Sequence, residues 1–404
     1  MADSRDLDRL LQAARAEPYR CPGEDYSISR ALHLARLNSG HEACRHCPRR
    51  HETGDTDNRY ASSPEAVAEV TAPSSPSDPC DRLWRGRGWR GVSLNEATRL
   101  RATEVVARFG ERLRGALGVA PRVVAGHDHR SASPDLFAGV LMGLRRAGCS
   151  ILDVGGVHAP LAWHTLRDRT ADAAVYVTGA GCDPDWNGLD FALAGPRPLG
   201  ADECQVALAE GFGDGRISSH LDPTPSAPSP LVPVATTHIR RFEAYELRLE
   251  EAFHALRPLG LVVGVGPGPQ GVWLRRALSR TACRLTEVPV SIAADMSVDP
   301  AALGRITSVV AEGVRSPGAR VDLAVLLHED GFGLTLFDER GERVPPDALA
   351  RLVGAFPSPT SAAAWRDLVW LDDGNGLACD ALFVFAAVLR KLSESDRSLS
   401  EVWP

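Results

Sequence analysis

Lysine is almost missing from this chain. Lys391 is the only lysine among 45 basic residues. That scarcity excludes any mechanism needing a lysine amine upstream of it, whether as base, Schiff-base former or phosphate ligand. Positive charge is otherwise carried by arginine, and acidic residues outnumber basic ones. The net charge of -7 argues against a broad surface for nucleic acid or acidic membrane. No apolar run reaches transmembrane length. The first 15 residues, MADSRDLDRLLQAAR, carry charges where a signal peptide needs an apolar stretch. The expected location is therefore cytoplasmic, with neither nucleic acid nor membrane as a partner. The nine cysteines are an odd number and mostly single, which speaks against a disulfide framework. What remains is ordinary for a globular protein, with 44% hydrophobic and 24% charged residues. At 404 residues the chain is long enough for two to four domains.

Residues 1–60 read as a separate helical segment containing cysteines. Ser4 can cap a helix over Arg5 to Arg15, and a second helical pattern runs through Ile28, Leu32, Leu34 and Leu37. Residues 61–82 are rich in Ser, Pro and Ala and read as a linker. From Leu83 strands and helices alternate. Helices are expected over Thr98 to Leu117, Pro134 to Ala147 and Pro160 to Arg167. Strands are expected over Arg122 to Ala125, Ser150 to Val154 and Ala173 to Val177. This order predicts a mainly parallel sheet covered on both faces. Residues 221–238 are Pro-rich and read as a second linker. A second α/β unit is expected over 239–316, with a strand at Gly260 to Val265 and helices at Phe242 to Leu256, Gly271 to Ser279 and Pro300 to Glu312. A third is expected over 317–404, with strands at Asp322 to Leu327 and Leu334 to Phe337 and an apolar helix from Ala381 to Leu392.

The stretch Val175 to Phe191, VYVTGAGCDPDWNGLDF, runs from a buried strand into a small-residue turn and a polar loop. It resembles the phosphoserine loop of the α-D-phosphohexomutases, the phosphoglucomutase and phosphomannomutase superfamily, which reads T-A-S-H-N-P-P-E-Y-N-G-x-K-F. Thr178, Pro184, Asn187, Gly188 and Phe191 fit without a gap. Gly88-Trp89-Arg90-Gly91-Val92 is similar to the family's G-x-R-G motif. Gly126 to Pro134 is similar to G-R-D-T-R-x-S-S-P. Asp322 to Leu334 takes the place of the metal loop, and Asp338-Glu339-Arg340-Gly341 fits the turn after it. The resemblance covers residues 83–404 and implies three consecutive α/β/α domains, at 83–220, 239–316 and 317–404.

Set against the family pattern, the residues that carry its chemistry are missing. Ala180 stands where the family carries its phosphate on a serine, so no side-chain oxygen is available for phosphoryl transfer. The remaining candidate acceptors are Thr178 and Asp183. Asp190 stands in place of the general-base lysine. Next to a phosphate dianion its charge would repel the substrate by about 1 to 4 kcal/mol. His328, Asp330 and Phe332 replace the three metal-loop aspartates, so Mg²⁺, which wants several oxygen ligands, is not expected. The sugar-recognition loop falls near 370–378, which reads WLDDGNGLA without the family's Glu, Ser or His. The family's fourth domain, with its phosphate clamp, is expected to be absent. Arg90, Asp128 and Arg130 remain as ligands for a phosphorylated sugar. The alternative for Asp128 and Arg130 is a structural ion pair at a strand end.

A second signal is Cys44-x-x-Cys47, with Cys21 upstream. Such a turn can grip one tetrahedral metal ion. His51, His41, His46 or Cys80 are candidates for the remaining ligand, and structural zinc is the candidate metal. The alternative is an inert Cys-x-x-Cys in a surface segment. His127, His129 and His158 come from neighbouring strand ends, and either converge on zinc or serve as ordinary polar residues. Cys182 is a candidate reactive thiol. The leading expectation is a catalytically inactive homologue that binds or regulates in sugar-phosphate metabolism, with a sugar phosphate or a protein as its partner. The alternatives are an active mutase with a non-standard acceptor and a metal- or redox-responsive protein acting through its N-terminal cysteines.

Overall fold

The computed structural model describes residues 83–211, 235–290 and 320–403, apart from 184, 196, 267, 361–364, 366–367 and 373–375. It also describes residues 19–20, 27–28, 304, 306 and 308–310. The chain forms two compact units, Met1–Asp78 and Pro79–Pro404. In the first, β1 (Tyr19–Arg20) and β2 (Ser27–Ile28) pair antiparallel. Ile28, expected to open a helix, therefore ends a strand. The helix expected over 5–15, and Cys21, Cys44, Cys47, Cys80, His41, His46 and His51, lie outside the described residues.

The second unit opens with a hairpin of β3 (Trp84–Arg85) and β4 (Gly88–Val92), followed by helix α1 (Arg99–Leu117). Thr98 caps α1, its side chain accepting from the Arg101 N–H. Gly118 ends it in the left-handed region at φ 70°. Then follow β5 (Arg122–His127), α2 (Ser133–Arg146), β6 (Ser150–Gly156), α3 (Ala159–Asp168) and β7 (Ala173–Val177). Helices α2 and α3 each carry a proline in the first turn, where a missing N–H costs nothing. β8 (Trp186–Leu193) returns antiparallel, and β9 (Arg197–Pro198) and α4 (Ala201–Glu210) complete this part.

With β10 (Thr236–His238) these strands form one sheet in the order β10-β6-β5-β7-β8-β4-β3, with β9 on β8. Parallel strands fill one half, and β8, β4, β3 and β9 make the other half antiparallel. β10 comes from the end of the Pro-rich stretch expected to be a linker, and it adds to the sheet edge beside β6.

A second sheet has the order β12-β11-β13-β14, built from β11 (Gly260–Val265), β12 (Arg284–Pro289), β13 (Leu323–Leu327) and β14 (Leu334–Asp338). β13 pairs parallel with β11, and β14 pairs antiparallel with β13. The strands on either side of the expected boundary at 316/317 thus share one sheet. The apolar segments Gly260 to Val265 and Leu323 to Leu327 are both buried central strands, and their hydrogen bonds need each other. Helices α5 (Glu243–Ala252), α6 (Gln270–Leu278), α7 (Pro346–Val353), α8 (Ala381–Ser393) and α9 (Leu399–Val402) surround this sheet, and a short hairpin of β15 (Leu371–Asp372) and β16 (Leu377–Ala378) precedes α8. The helix expected over 300–312 lies mostly outside the described residues.

Alternation along the strands divides the core. Val123 and Ala125 of β5 face α1 and α2, while Val124 belongs to the other face with Leu161 and Trp163 of α3. Leu261 and Val263 of β11 and Leu323, Val325 and Leu327 of β13 join that same central core. It continues through Tyr245 and Leu249 of α5 into α8, where eight side chains are buried. Each fully buried Leu, Val or Phe there contributes about 1.5–3 kcal/mol. One apolar core thus joins the back of the first sheet to the second. It holds the C-terminal ends of β5 and β7 opposite the β13–β14 turn.

Candidate functional site

The cleft lies where the loops after β5 and β7 meet the β13–β14 turn. In open α/β sheets, ligands bind beyond the carboxyl ends of the strands. The first loop is organised by Asp128, which is 9% exposed. Its Oδ1 accepts from the Arg130 N–H at 3.1 Å and from the Ser133 hydroxyl, and its Oδ2 accepts from the Gly179 N–H at 3.2 Å. Asn187 Nδ2 in turn donates to Ser133 Oγ at 2.9 Å. Asp128 therefore fixes the loop that would carry the phosphate acceptor.

Arg130 completes the arrangement. Its Nη1 donates to the carbonyls of Asp183 at 2.9 Å and Trp186 at 3.0 Å, and its Nη2 to that of Cys182 at 3.3 Å. Its Nε and Nη2 also donate to the two carboxylate oxygens of Glu329 at 3.0 and 2.9 Å. Asp128 is 3.8 Å away. The pairing expected between Arg130 and Asp128 is thus secondary to a forked pair with Glu329. Gly179 permits this close packing, because a Cβ there would lie 2.6 Å from Arg130 Nη1 and 2.2 Å from the Trp186 carbonyl.

The loop itself offers little chemistry. Ala180 is 9% exposed. Thr178 is buried, and its hydroxyl accepts from the Ala180 N–H at 3.0 Å, so it turns back into the loop. Asp183 is exposed at the loop tip. Arg90 does not reach the cleft. It is 3% exposed, donates to the carbonyls of Trp89 and Leu189, and pairs with Asp190 at 2.5 Å. Asp190 is equally buried. Two expectations are corrected here, because Arg90 is already neutralised as a ligand and Asp190 does not act as a free repelling charge. The register of β4 against β8, which sets Gly88 opposite Asp190 and Arg90 opposite Gly188, brings them together.

The former metal loop is rebuilt around an arginine. The Asp330 carboxylate pairs with Arg87, from the turn between β3 and β4, and accepts from the N–H groups of Phe332 at 2.9 Å and Gly333 at 3.3 Å. Burial alone would push this carboxyl up. Arg87 above all, with the Phe332 N–H, holds it below the usual carboxylate range. The Arg87 guanidinium lies over Trp365 at 4.7 Å and Phe332 at 5.8 Å. Phe332 packs edge-on against Trp365 at 5.1 Å. His328 Nε2 lies 3.0 Å from Thr335 Oγ1, and burial keeps this imidazole neutral. A cation thus already fills the place beside Asp330, and an aromatic side chain replaces one oxygen ligand. That donor set does not suit Mg²⁺. Among the described residues no cluster of three or more His, Cys, Asp or Glu has the arrangement to hold a metal ion.

His127 and His129 both lie beside Gly156, but with His158 they do not form a metal-binding group. His127 Nδ1 lies 2.6 Å from the Asp128 carbonyl. His158 turns the other way, with Nε2 2.9 Å from the Tyr245 hydroxyl, which itself donates to Asp380 at 2.8 Å. Burial drives the His158 pKa down to about 3. Between the two loops and the N-terminus of α6 lies a cavity of about 110 Å³, lined among others by His129, Arg130, His158, Gln270, His328 and Glu329.

Comparison with known proteins agrees with this fold. Residues 81–211 match the family model of phosphoglucomutase/phosphomannomutase, alpha/beta/alpha domain I. Over these residues the chain is similar to the phosphohexomutase superfamily. The phosphomannomutase/phosphoglucomutase of Pseudomonas syringae pv. tomato is 25% identical over 235 residues, which are 57% of this chain and 47% of that protein. The phosphoglucomutase of Neisseria gonorrhoeae is 31% identical over 98 residues, 24% of this chain and 21% of that one. The chain therefore spans about half the length, or less, of these relatives. A crystal structure of a phosphoglucomutase/phosphomannomutase family protein from Burkholderia thailandensis shares the fold, with a TM-score of 0.60 at 19% identity and 80% of each chain covered.

Within the superfamily fold, sequence reasoning located the cleft loops but missed Arg87, Glu329, Tyr245 and Asp380. The Glu329-Asp330 pair in a turn between two apolar strands was a readable sign that two cations were needed nearby. Nothing in the sequence pointed to Arg87 as one of them.

Proposed function

We propose that this chain is a phosphohexomutase-like protein of sugar-phosphate metabolism that has lost mutase chemistry and acts as a binding or regulatory homologue. The observation that carries this reading is Ala180 in the acceptor loop, whose carbonyls are held by Arg130. Phosphoryl transfer through the protein needs an oxygen nucleophile held in line. The ion pairs support the same reading, since Arg90, Asp190, Arg87 and Asp330 are each spent on an internal partner. Arg130, whose fork is taken by Glu329, is the cleft cation that a phosphorylated ligand would have to claim. A cytoplasmic location fits this role, and among the described residues no helix is long and apolar enough to cross a membrane.

One specific observation keeps the mutase alternative in view, namely the exposed carboxylate of Asp183 on the same loop. Both readings meet in one assay. The pure protein is incubated with glucose 1-phosphate or mannose 1-phosphate, Mg²⁺ and a hexose bisphosphate, and conversion to the 6-phosphate is followed by a coupled enzyme. No turnover above the blank is expected. Turnover that is lost in Asp183→Ala overturns the proposal. The metal reading through Cys21, Cys44 and Cys47 is tested separately by the zinc and iron content of the purified protein.

A further inference from the structure

Glu329 sits where an anion would bind. Its two carboxylate oxygens take the fork formed by Nε and Nη2 of Arg130, the geometry by which an arginine holds a carboxylate or a phosphate. We propose that Glu329 is an internal competitor for the phosphate group of an anionic ligand, so that binding exchanges Glu329 for phosphate on Arg130 and uncouples the β13–β14 turn from the loop after β7. This inference rests on the ligand reading above and adds its regulation.

Three observations support the exchange. The first is space. The cavity beside the pair holds about 110 Å³, whereas sites for drug-sized ligands run to about 300–1,000 Å³. A hexose phosphate therefore enters only if a lining group leaves, and Glu329 is the more exposed of the two acids that pair with Arg130 there. The second is charge. Arg130 faces two carboxylates, Asp128 and Glu329. His328 is kept neutral by burial, and His129 is likewise shifted down. With Glu329 in place the cleft carries a net negative charge that opposes a phosphate. With Glu329 swung away, Arg130 and Asp128 balance.

The third observation is the unequal anchoring of the two neighbouring acids. The Asp330 side chain is 3% exposed, bound by Arg87 and by two backbone N–H groups. The Glu329 side chain is 29% exposed, and both of its carboxylate hydrogen bonds go to Arg130. Glu329 can rotate into water while Asp330 keeps the turn in place. Asp128 cannot leave in the same way, because the Ser133 hydroxyl and the Gly179 N–H hold it.

The test is calorimetric titration of the full chain with inorganic phosphate and with glucose 1-phosphate, comparing the wild type with Glu329→Gln and Arg130→Gln. Glu329→Gln keeps the shape of the side chain and removes its charge. It is expected to bind phosphate at least tenfold more tightly than the wild type, and Arg130→Gln is expected not to bind. Equal gains for the two probes mean that the site reads the phosphate alone, and a larger gain for glucose 1-phosphate means that it also reads the sugar. If the wild type binds and Glu329→Gln binds no more tightly, the competitor role is overturned while the ligand reading stands. If neither probe binds to the wild type or to Glu329→Gln, the ligand reading fails and this proposal fails with it. If Arg130→Gln does not fold, the comparison of Glu329→Gln with wild type decides alone.

Discussion

The guanidinium of Arg87 lies against the carboxylate of Asp330, a residue 243 positions further along the chain, and stacks over the ring of Trp365. A position that carries a metal ligand in the superfamily pattern has become half of an ion pair that spans the cleft. Removing one partner of such a pair leaves the other charged and buried. Arg87→Ala is expected to lower stability by about 3 kcal/mol at neutral pH, read as a fall in the urea midpoint. Asp330 titrates below its unfolded value in the folded protein, so the stability it contributes is present above the unfolded carboxylate pKa and is lost as pH falls through the lower folded value. The penalty of Arg87→Ala should therefore shrink in acid, where Asp330 is protonated in both proteins. A penalty that does not change with pH would show that Arg87 acts through packing on Phe332 and Trp365 alone.

Restoring the missing serine should not restore activity. Ala180→Ser is expected to fold, yet intact mass after incubation with hexose bisphosphate should show no phosphate adduct, because Arg130 still holds the loop carbonyls. Asp190→Lys, which restores the other family residue, would place a second cation beside the buried Arg90. Leaving Arg90 unpaired there is expected to cost about 3–5 kcal/mol and to prevent folding, measured as loss of the cooperative thermal transition.

Helices and strands were legible because their signals are local. The segments around Val105 and Val175 carry the periods of a helix and a buried strand; the strand has its expected limits and the helix starts one residue later than expected. The cleft loops were legible through the resemblance. The partnerships were not. Whether Arg90 faces a ligand or Asp190 depends on strand register, and whether Arg130 meets Asp128 or Glu329 depends on how two sheets approach each other. Neither is encoded in spacing along the chain. The single sheet spanning 260–338 was hidden for the same reason, since pairing of β11 with β13 joins segments separated by a helix, a strand and 33 further residues between Pro289 and Leu323.

Acid should destabilise the core through His158. Burial puts its pKa at about 3 in the folded protein, against an ordinary value of about 6.5. Its neutral form is favoured by folding, so the stability it contributes is present above pH 6.5 and is lost as pH falls from there towards 3. Full titration corresponds to about 5 kcal/mol. His158→Gln, which can still donate to Tyr245, should flatten the rise of thermal midpoint with pH between 4 and about 6.5. An unchanged slope would assign the effect to other groups, His164 first among them.

Thiol reactivity should divide by burial. Cys149, Cys204 and Cys379 are buried, and burial pushes the Cys149 thiol up to about 12 and the other two well above the usual range. Cys182 and Cys283 are partly exposed. Brief alkylation of the native protein followed by peptide mapping should label Cys182 and Cys283 and spare the other three. Labelling of Cys379 before Cys182 would contradict the packing of α8 against the β13–β14 turn.

The span between the paired residues also sets an order of events. Arg90 and Asp190 are 100 positions apart and lie in one sheet, so their pair can close as soon as residues 83–211 have collapsed. Arg130 with Glu329, and Arg87 with Asp330, join positions 199 and 243 apart. Contacts of such separation form late, after the loop-closure entropy has been overcome. The cleft-spanning pairs should then be absent from the rate-limiting step. Their loss should speed unfolding and leave refolding almost unchanged. In a chevron plot Arg87→Ala should raise only the unfolding limb, so these two pairs act less as a guide for folding than as a brake on coming apart.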